Sequence, residues 1–233
     1  MKVLSRICND FAELVYPALC ITCGERLISQ EKYLCTNCRA DLPVTNFHLN
    51  SDNNVAELFW GRIKIENATS LFCYKKGSRY QRVIHFIKYR GMKELGFELG
   101  THLGASLSES ENFTAADLII PVPLHPRKEK KRGYNQSEYI ARGVANILKK
   151  PVSVNNLCRK IYSSSQTRKN RFERWQNVEK IFKINHPDEL HKKHILLLDD
   201  VITTGSTLEA CASEILKVPD TKVSIATLAY ADI

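Results

Sequence analysis

Residues 195–211 read ILLLDDVITTGSTLEAC, and this stretch decides the fold. Ile195 to Leu198 form an unbroken apolar run, the pattern of a strand covered on both faces of a parallel sheet. Two acids, Asp199 and Asp200, stand at its carboxyl end, where open α/β sheets bind ligands. Val201 follows, and then Thr203, Thr204, Gly205, Ser206 and Thr207 open a helix with Leu208, Ala212, Ile215 and Leu216 at helical spacing. A helix N-terminus offers unpaired N–H groups and a partial positive charge, so it can hold a phosphate. Gly205 permits a tight turn, and the hydroxyls add donors without bulk. Carboxylates beside a phosphate would repel it. Accepting hydrogen bonds from ribose hydroxyls suits Asp199 and Asp200 better, and a water-mediated approach to Mg²⁺ is a second task open to either. A plain helix cap after a buried strand is the competing account.

Outward from this stretch, strands alternate with helices. ATSLFCY (68–74), DLIIPVP (117–123), HILLLDD (194–200) and KVSIATLAY (222–230) read as strands, with shorter pieces near 152–161 and 179–184. Helices are expected over 78–91, stopped by Gly91, and over 92–107, 137–148 and 206–216. That alternation predicts an α/β fold with a parallel, doubly wound sheet over residues 65–233. Residues 1–15 read as an amphipathic helix ended by Pro17, and the Asn-rich stretch 44–64 as a linker.

Two basic segments flank the strands. PVPLHPRKEKKRGYNQ (121–136) reads as a loop holding Arg127, Lys128, Lys130, Lys131 and Arg132. Fixed cations at a strand end could neutralise a leaving pyrophosphate; a solvated basic loop is the plainer account. The segment 158–182 carries Gln166, Arg168, Arg171, Arg174 and Asn177. Aromatics in or beside both segments (Tyr134, Tyr139, Phe172, Trp175) interleave with their cations, which suits contact with a single-stranded nucleic acid. The Lys88–Tyr89–Arg90 trio reads as a solvated helix face, His48 as a loop residue, and Phe59 and Trp60 as packing against the N-terminal module.

Cys20, Cys23, Cys35 and Cys38 form two CxxC knuckles. Four thiolates aimed at one centre make a tetrahedral structural Zn²⁺ site; thiol pairs or a redox motif are the alternatives. Four cysteines fill the coordination sphere, so this metal is not expected to be catalytic. The module, residues 1–43, is too small for its own core, so zinc would supply its folding energy.

With 233 residues, 43% of them apolar, the chain can bury one core and carry a small appendage. The net charge of +9 favours a polyanionic partner or simply a basic, soluble surface. No apolar run reaches membrane-spanning length, and the expected compartment is the cytoplasm, with no membrane insertion.

The segment 195–211 resembles the phosphoribosyl-pyrophosphate signature of type I phosphoribosyltransferases. Together with the paired CxxC module, IKYRG (87–91), PVPLHPRKEKKRGYNQ, and SQTR through Asn177 and Phe182, it makes the whole chain resemble the ComF family, the phosphoribosyltransferase-like group that includes the competence protein ComFC. The resemblance covers nearly the whole chain, in the family's order. It implies a type I phosphoribosyltransferase-like sheet with a hood and an N-terminal zinc module. It implies phosphoribosyl pyrophosphate as ligand, with Mg²⁺ held mainly by the pyrophosphate. Asp199, Asp200, Val201 and the 203–207 loop would hold the ribose and its 5′-phosphate. Pro123, Leu124, His125, Arg127 and Arg132 would belong to the pyrophosphate loop. Lys128, Lys130, Lys131, Arg168, Arg171 and Arg174 would contact single-stranded DNA during uptake, with a DNA-translocating helicase as a partner. An active phosphoribosyltransferase with an unidentified base or amine acceptor is the alternative activity, and no catalytic residue is identified. The chain departs from the family pattern at Ile161 and Lys169, both near the hood.

Overall fold

The structure, a computed structural model, describes residues 17–159 and 181–232. The expected N-terminal helix (1–15) and the hood segment with Arg168, Arg171 and Arg174 lie outside the described residues, as do Ile161 and Lys169.

In chain order the elements are α1 (Thr36–Ala40), a 3₁₀ turn (Phe47–Leu49), α2 (Asn54–Glu57), β1 (Ala68–Lys75), α3 (Gln81–Tyr89), α4 (Lys93–Ser108), α5 (Glu111–Thr114) and β2 (Leu118–Pro121). There follow α6 (Pro126–Arg132), α7 (Gln136–Leu148), β3 (Leu157–Arg159), β4 (Phe182–Ile184), β5 (His194–Ile202), α8 (Ser206–Ile215) and β6 (Lys222–Asp232). Four strands form one sheet in the order β1-β6-β5-β2, every pair parallel. β3 and β4 form a separate antiparallel pair.

The continuous apolar runs of β5 and β6 are explained by burial on both faces. Ile195 to Leu198 are all 0% exposed. One face packs Leu196, Leu198 and Leu228 against α3, α4, α7 and the cysteine module. The other packs Ile195, Leu197 and Ile225 against α8, Phe59 and the β3–β4 pair. α4 and α7 cross closely: a Cβ at Gly100 would overlap the backbone of Ile140, and one at Gly143 the carbonyl of Phe97.

Four expectations need correction. The basic stretch after β2 is a helix, α6, and not a loop. Pro126 occupies its first turn, the His125 side chain caps it, and Gly133 ends it at φ 83°. The stretch 44–64 is packed, not free-running. Pro43 and Thr45 hydrogen-bond to Cys73 and Leu71 along the open edge of β1, and Val55 and Phe59 are fully buried. Phe59 packs under Gly205 and not against the cysteine module. His48 is 6% exposed, with its Nε2 3.5 Å from Glu109 Oε2. Among the described residues, no helix is long and apolar enough to cross a membrane.

Candidate functional site

β5 delivers the acid pair to the carboxyl end of the sheet. Adjacent residues on a strand point to opposite faces, so the two carboxylates have different surroundings. Asp199 faces a small cavity of about 60 Å³, lined also by Val201 and the 203–207 loop. Its Oδ1 accepts from Ser137 Oγ at 2.8 Å and from the Asp200 backbone N–H at 2.8 Å. Asp200 is 2% exposed. Its Oδ1 pairs with Lys88 Nζ at 3.1 Å, and its Oδ2 is buried without a partner. Burial, reinforced by the neighbouring Asp200 charge, pushes the Asp199 carboxyl up to about 7, against the opposing Ser137 and Asp200 N–H bonds.

That shift gives a stability prediction. Asp199 ionises near 7 when folded and near 3.8 when unfolded, so it disfavours the folded state increasingly as pH rises between those values. Asp199→Asn keeps an acceptor for Ser137 and removes the charge. It is expected to stabilise the protein by roughly 2.6 kcal/mol more at pH 8 than at pH 5. Urea unfolding of both proteins at the two pH values checks this; a pH-independent difference would contradict it.

The 203–207 loop turns at Gly205, whose φ of 75° is left-handed. A side chain there would also press on the Phe59 ring, 3.2 Å from a Cβ position. Thr203, Thr204, Ser206 and Thr207 are exposed on the cavity side, and Thr204 Oγ1 lies 3.1 Å from Ser206 Oγ. Arg62 clamps the loop from outside: its Nη1 donates to the Thr204 carbonyl at 3.0 Å, and its Nη2 pairs with Glu209. The α8 N-terminus thus presents backbone N–H groups and hydroxyls to the space that Asp199 borders.

β2 runs beside β5, and the Val122 N–H donates to the Leu198 carbonyl at 2.8 Å, which sets Pro123, Leu124 and His125 alongside the acid pair. His125 Nδ1 accepts the Arg127 N–H at 3.2 Å, which leaves the neutral ring's proton on Nε2. Asn135 joins the two segments: its Nδ2 donates to the Val122 carbonyl at 3.1 Å and its Oδ1 caps α7 through Ser137 N–H. Because 121–136 is helical in its middle, its cations separate. Lys128, Lys131 and Arg132 line a cavity of about 280 Å³ with Lys88, Tyr89 and Gly91, while Arg127 and Lys130 line neither this cavity nor the one beside Asp199. Lys88 is a site residue that sequence reasoning passed over, as are Ser137 and Arg62. The only signal was IKYRG itself, since helical periodicity puts Lys88 on a face that looks solvated.

The cysteines converge. The ligand atoms of Cys20, Cys23, Cys35 and Cys38 all lie within 4.8 Å of one another, and the Cys23 and Cys35 sulfurs are 3.7 Å apart. Thiolates held tetrahedrally at a Zn–S distance of about 2.3 Å stand about 3.8 Å apart, so the set fits Zn²⁺. Backbone N–H groups of Glu25, Cys35 and Cys38 point at Cys23, Cys20 and Cys35 sulfurs, the outer-sphere pattern of a zinc knuckle. Burial opposes the Cys20 thiolate, but backbone N–H donors from Cys23, Cys35 and Thr22 outweigh it and hold that thiol near 6. The module is no free appendage. Tyr80 Oη donates to the Cys38 carbonyl at 3.3 Å, Arg79 pairs with Asp41 at 3.0 Å and Arg39 with Glu98 at 2.8 Å.

A parallel sheet whose central strand ends in two carboxylates and turns through a hydroxyl-rich loop into a helix defines a type I phosphoribosyltransferase-like fold. A family model, the double zinc ribbon domain, matches residues 11–48. The chain is 31% identical over 117 residues to Competence protein F of Haemophilus influenzae, covering 49% of this chain and 51% of that one. It therefore matches about half the length of that relative. It is 25% identical over 227 residues to the DNA utilization protein YhgH of Escherichia coli K12 (91% and 89% covered), and 22% over 238 residues to Competence protein ComFC of Bacillus subtilis (90% and 93%). Among solved structures, the glutamine phosphoribosylpyrophosphate amidotransferase of B. subtilis matches at TM-score 0.41 and 20% identity, over 57% of this chain and 25% of that one. Over nearly its whole length the chain is thus similar to ComF-type proteins named for competence and DNA utilization, and it carries an N-terminal four-cysteine zinc module.

Proposed function

We propose that the protein binds phosphoribosyl pyrophosphate at the end of β5 and assists the handling of single-stranded DNA during uptake. The observation that carries the ligand reading is the cavity of about 60 Å³ bounded by Asp199 and the 203–207 loop. It suits a single phosphate group, with the α8 N-terminus supplying donors and charge. In this reading Asp199 and Asp200 serve the ribose hydroxyls, and Pro123, Leu124, His125, Arg127 and Arg132 would serve the pyrophosphate. The acid side contributes one cavity-facing carboxylate, Asp199, while Asp200 is buried against Lys88 with its Oδ2 left without a partner. That donor set fits a Mg²⁺ ion brought in by the pyrophosphate and met through water, and not a cage built by the protein. Bound there, Mg²⁺ would offset the negative charge of the pyrophosphate; the protein's own cations and amides orient the sugar.

The DNA part is supported by the +9 charge, by the exposed cations of α6, and by the printed names of the relatives, which concern competence and DNA utilization. Lys128, Lys130 and Lys131, with Arg168, Arg171 and Arg174 of the hood segment, would meet the strand. A helicase that moves the DNA and a cytoplasmic location complete the picture.

Calorimetry tests the ligand reading. The zinc-loaded protein with Mg²⁺ is expected to bind phosphoribosyl pyrophosphate, and Thr207→Val, which removes one hydroxyl donor, to bind it about tenfold more weakly. No heat with the unaltered protein would refute the reading. Release of pyrophosphate on adding a nucleobase, amine or ammonia would favour an active transferase.

A further inference from the structure

α3 places two aromatic rings where a soluble helix ordinarily carries charge. Val83, Ile84 and Ile87 face the core, so residues 85 and 89, one turn apart, face outward. Tyr89 is 64% exposed, and its ring centroid lies 5.0 Å from that of His85. The Arg132 guanidinium stands over the same ring, 5.2 Å from its centroid. Arg132 is itself held by Gln136 Oε1 at 2.7 Å. Tyr89 is shared by two adjoining cavities. One, of about 280 Å³, is lined by Lys88, Tyr89, Gly91, Lys128, Lys131 and Arg132, with no acid among them. The other, of about 540 Å³, runs along α3 past His85 toward Tyr74 and Ser78.

An exposed tyrosine with a pre-positioned guanidinium, bordered by further cations and by open cavities on both sides, matches what a flipped-out base and its phosphates require. Stacking on the ring is tolerant of base identity, and the lysines meet the backbone. Charge complementarity selects a polyanion, and the aromatic pair selects one that carries planar bases.

Resting on the DNA part of the reading above, we propose that Tyr89 is a base-stacking platform for single-stranded nucleic acid, with Arg132 ordering the ring and Lys128 and Lys131 holding the adjoining phosphates. The platform lies one residue from Lys88, whose Nζ pairs with Asp200, so the strand would pass the mouth of the sugar site.

Fluorescence anisotropy with a labelled oligothymidylate and the zinc-loaded full chain tests this. Tyr89→Ala is expected to weaken binding about tenfold without changing the salt dependence, and Tyr89→Trp to retain it. A strand with abasic positions should bind the unaltered protein as weakly as thymidylate binds Tyr89→Ala. The Lys128→Ala, Lys131→Ala double variant should instead lower the slope of log affinity against log salt by about 1.4. If Tyr89→Ala binds like the unaltered protein, or abasic strands bind as well as thymidylate, the platform is overturned while DNA binding stands. If the unaltered protein binds no single strand at low salt, platform and DNA reading both fall; the separate calorimetry of phosphoribosyl pyrophosphate tells that failure from loss of the sugar site.

Discussion

Lys88→Met is expected to destabilise the protein by about 3 kcal/mol at pH 7. Removing one partner of a buried ion pair leaves the other charge uncompensated, which typically costs about 3–5 kcal/mol. Here the Asp200 side chain is 3% exposed and that of Lys88 19%, so some water reaches the pair and the lower end of the range applies. The cost is sharpened because Asp200 Oδ2 already lacks a partner. The double variant Lys88→Met, Asp200→Asn removes both charges and should recover much of the loss. Urea unfolding of the two single variants and the double gives the coupling energy directly. A loss below about 0.5 kcal/mol for Lys88→Met, the level of an exposed pair, would contradict the burial of this contact.

Zinc removal carries a still larger expected effect, because the module's apolar residues are part of the main core. Ile21, Leu27 and Leu34 are buried in one cluster with Leu71, Val83 and Ile84. Structural Zn²⁺ in finger peptides contributes apparent free energies of about 10–16 kcal/mol, nearly all of it folding energy. In this protein the packed interface retains part of the order, so a smaller share is lost. A strong chelator, or Cys38→Ser, should lower Tm by about 10–15 °C, corresponding to roughly 4–5 kcal/mol for a domain of this size. The same treatment should loosen α3, whose N-cap Tyr80 and preceding Arg79 tie it to the module. Thermal unfolding with and without chelator, together with one zinc per chain by elemental analysis, checks both statements. An unchanged Tm with metal fully removed would show that the four thiols do not hold a structural ion.

Much of this architecture was legible in the chain because its signals are local. The Ile195–Leu198 run, the acids after it and Gly205 each have one physical use at one place, and β5, the loop and α8 follow from them. The CxxC spacing is equally local, and the knuckles close as the spacing requires. Legibility failed where long-range packing assigns the role. Residues 44–64 look like a linker by composition, yet Phe59 is buried by α8 and the loop, and Thr45 is ordered by the edge of β1. Charge obscured α6: five cations among six residues suggest a mobile loop, but proline at the start and glycine at the end make a helix, and the helix sorts the cations onto two sides. Lys88 was hidden because an amphipathic pattern says which face is apolar and not what the polar face meets. Only the juxtaposition of α3 with the end of β5 brings its ammonium to Asp200.

The proposed ligand site stands or falls on where a phosphate settles. A crystal structure of the zinc-loaded protein soaked with phosphoribosyl pyrophosphate and Mg²⁺ should have the 5′-phosphate among the amides and hydroxyls of 203–207, with the ribose hydroxyls on the carboxylates of 199 and 200. Density for the sugar phosphate elsewhere, with that loop left to water alone, would contradict the account.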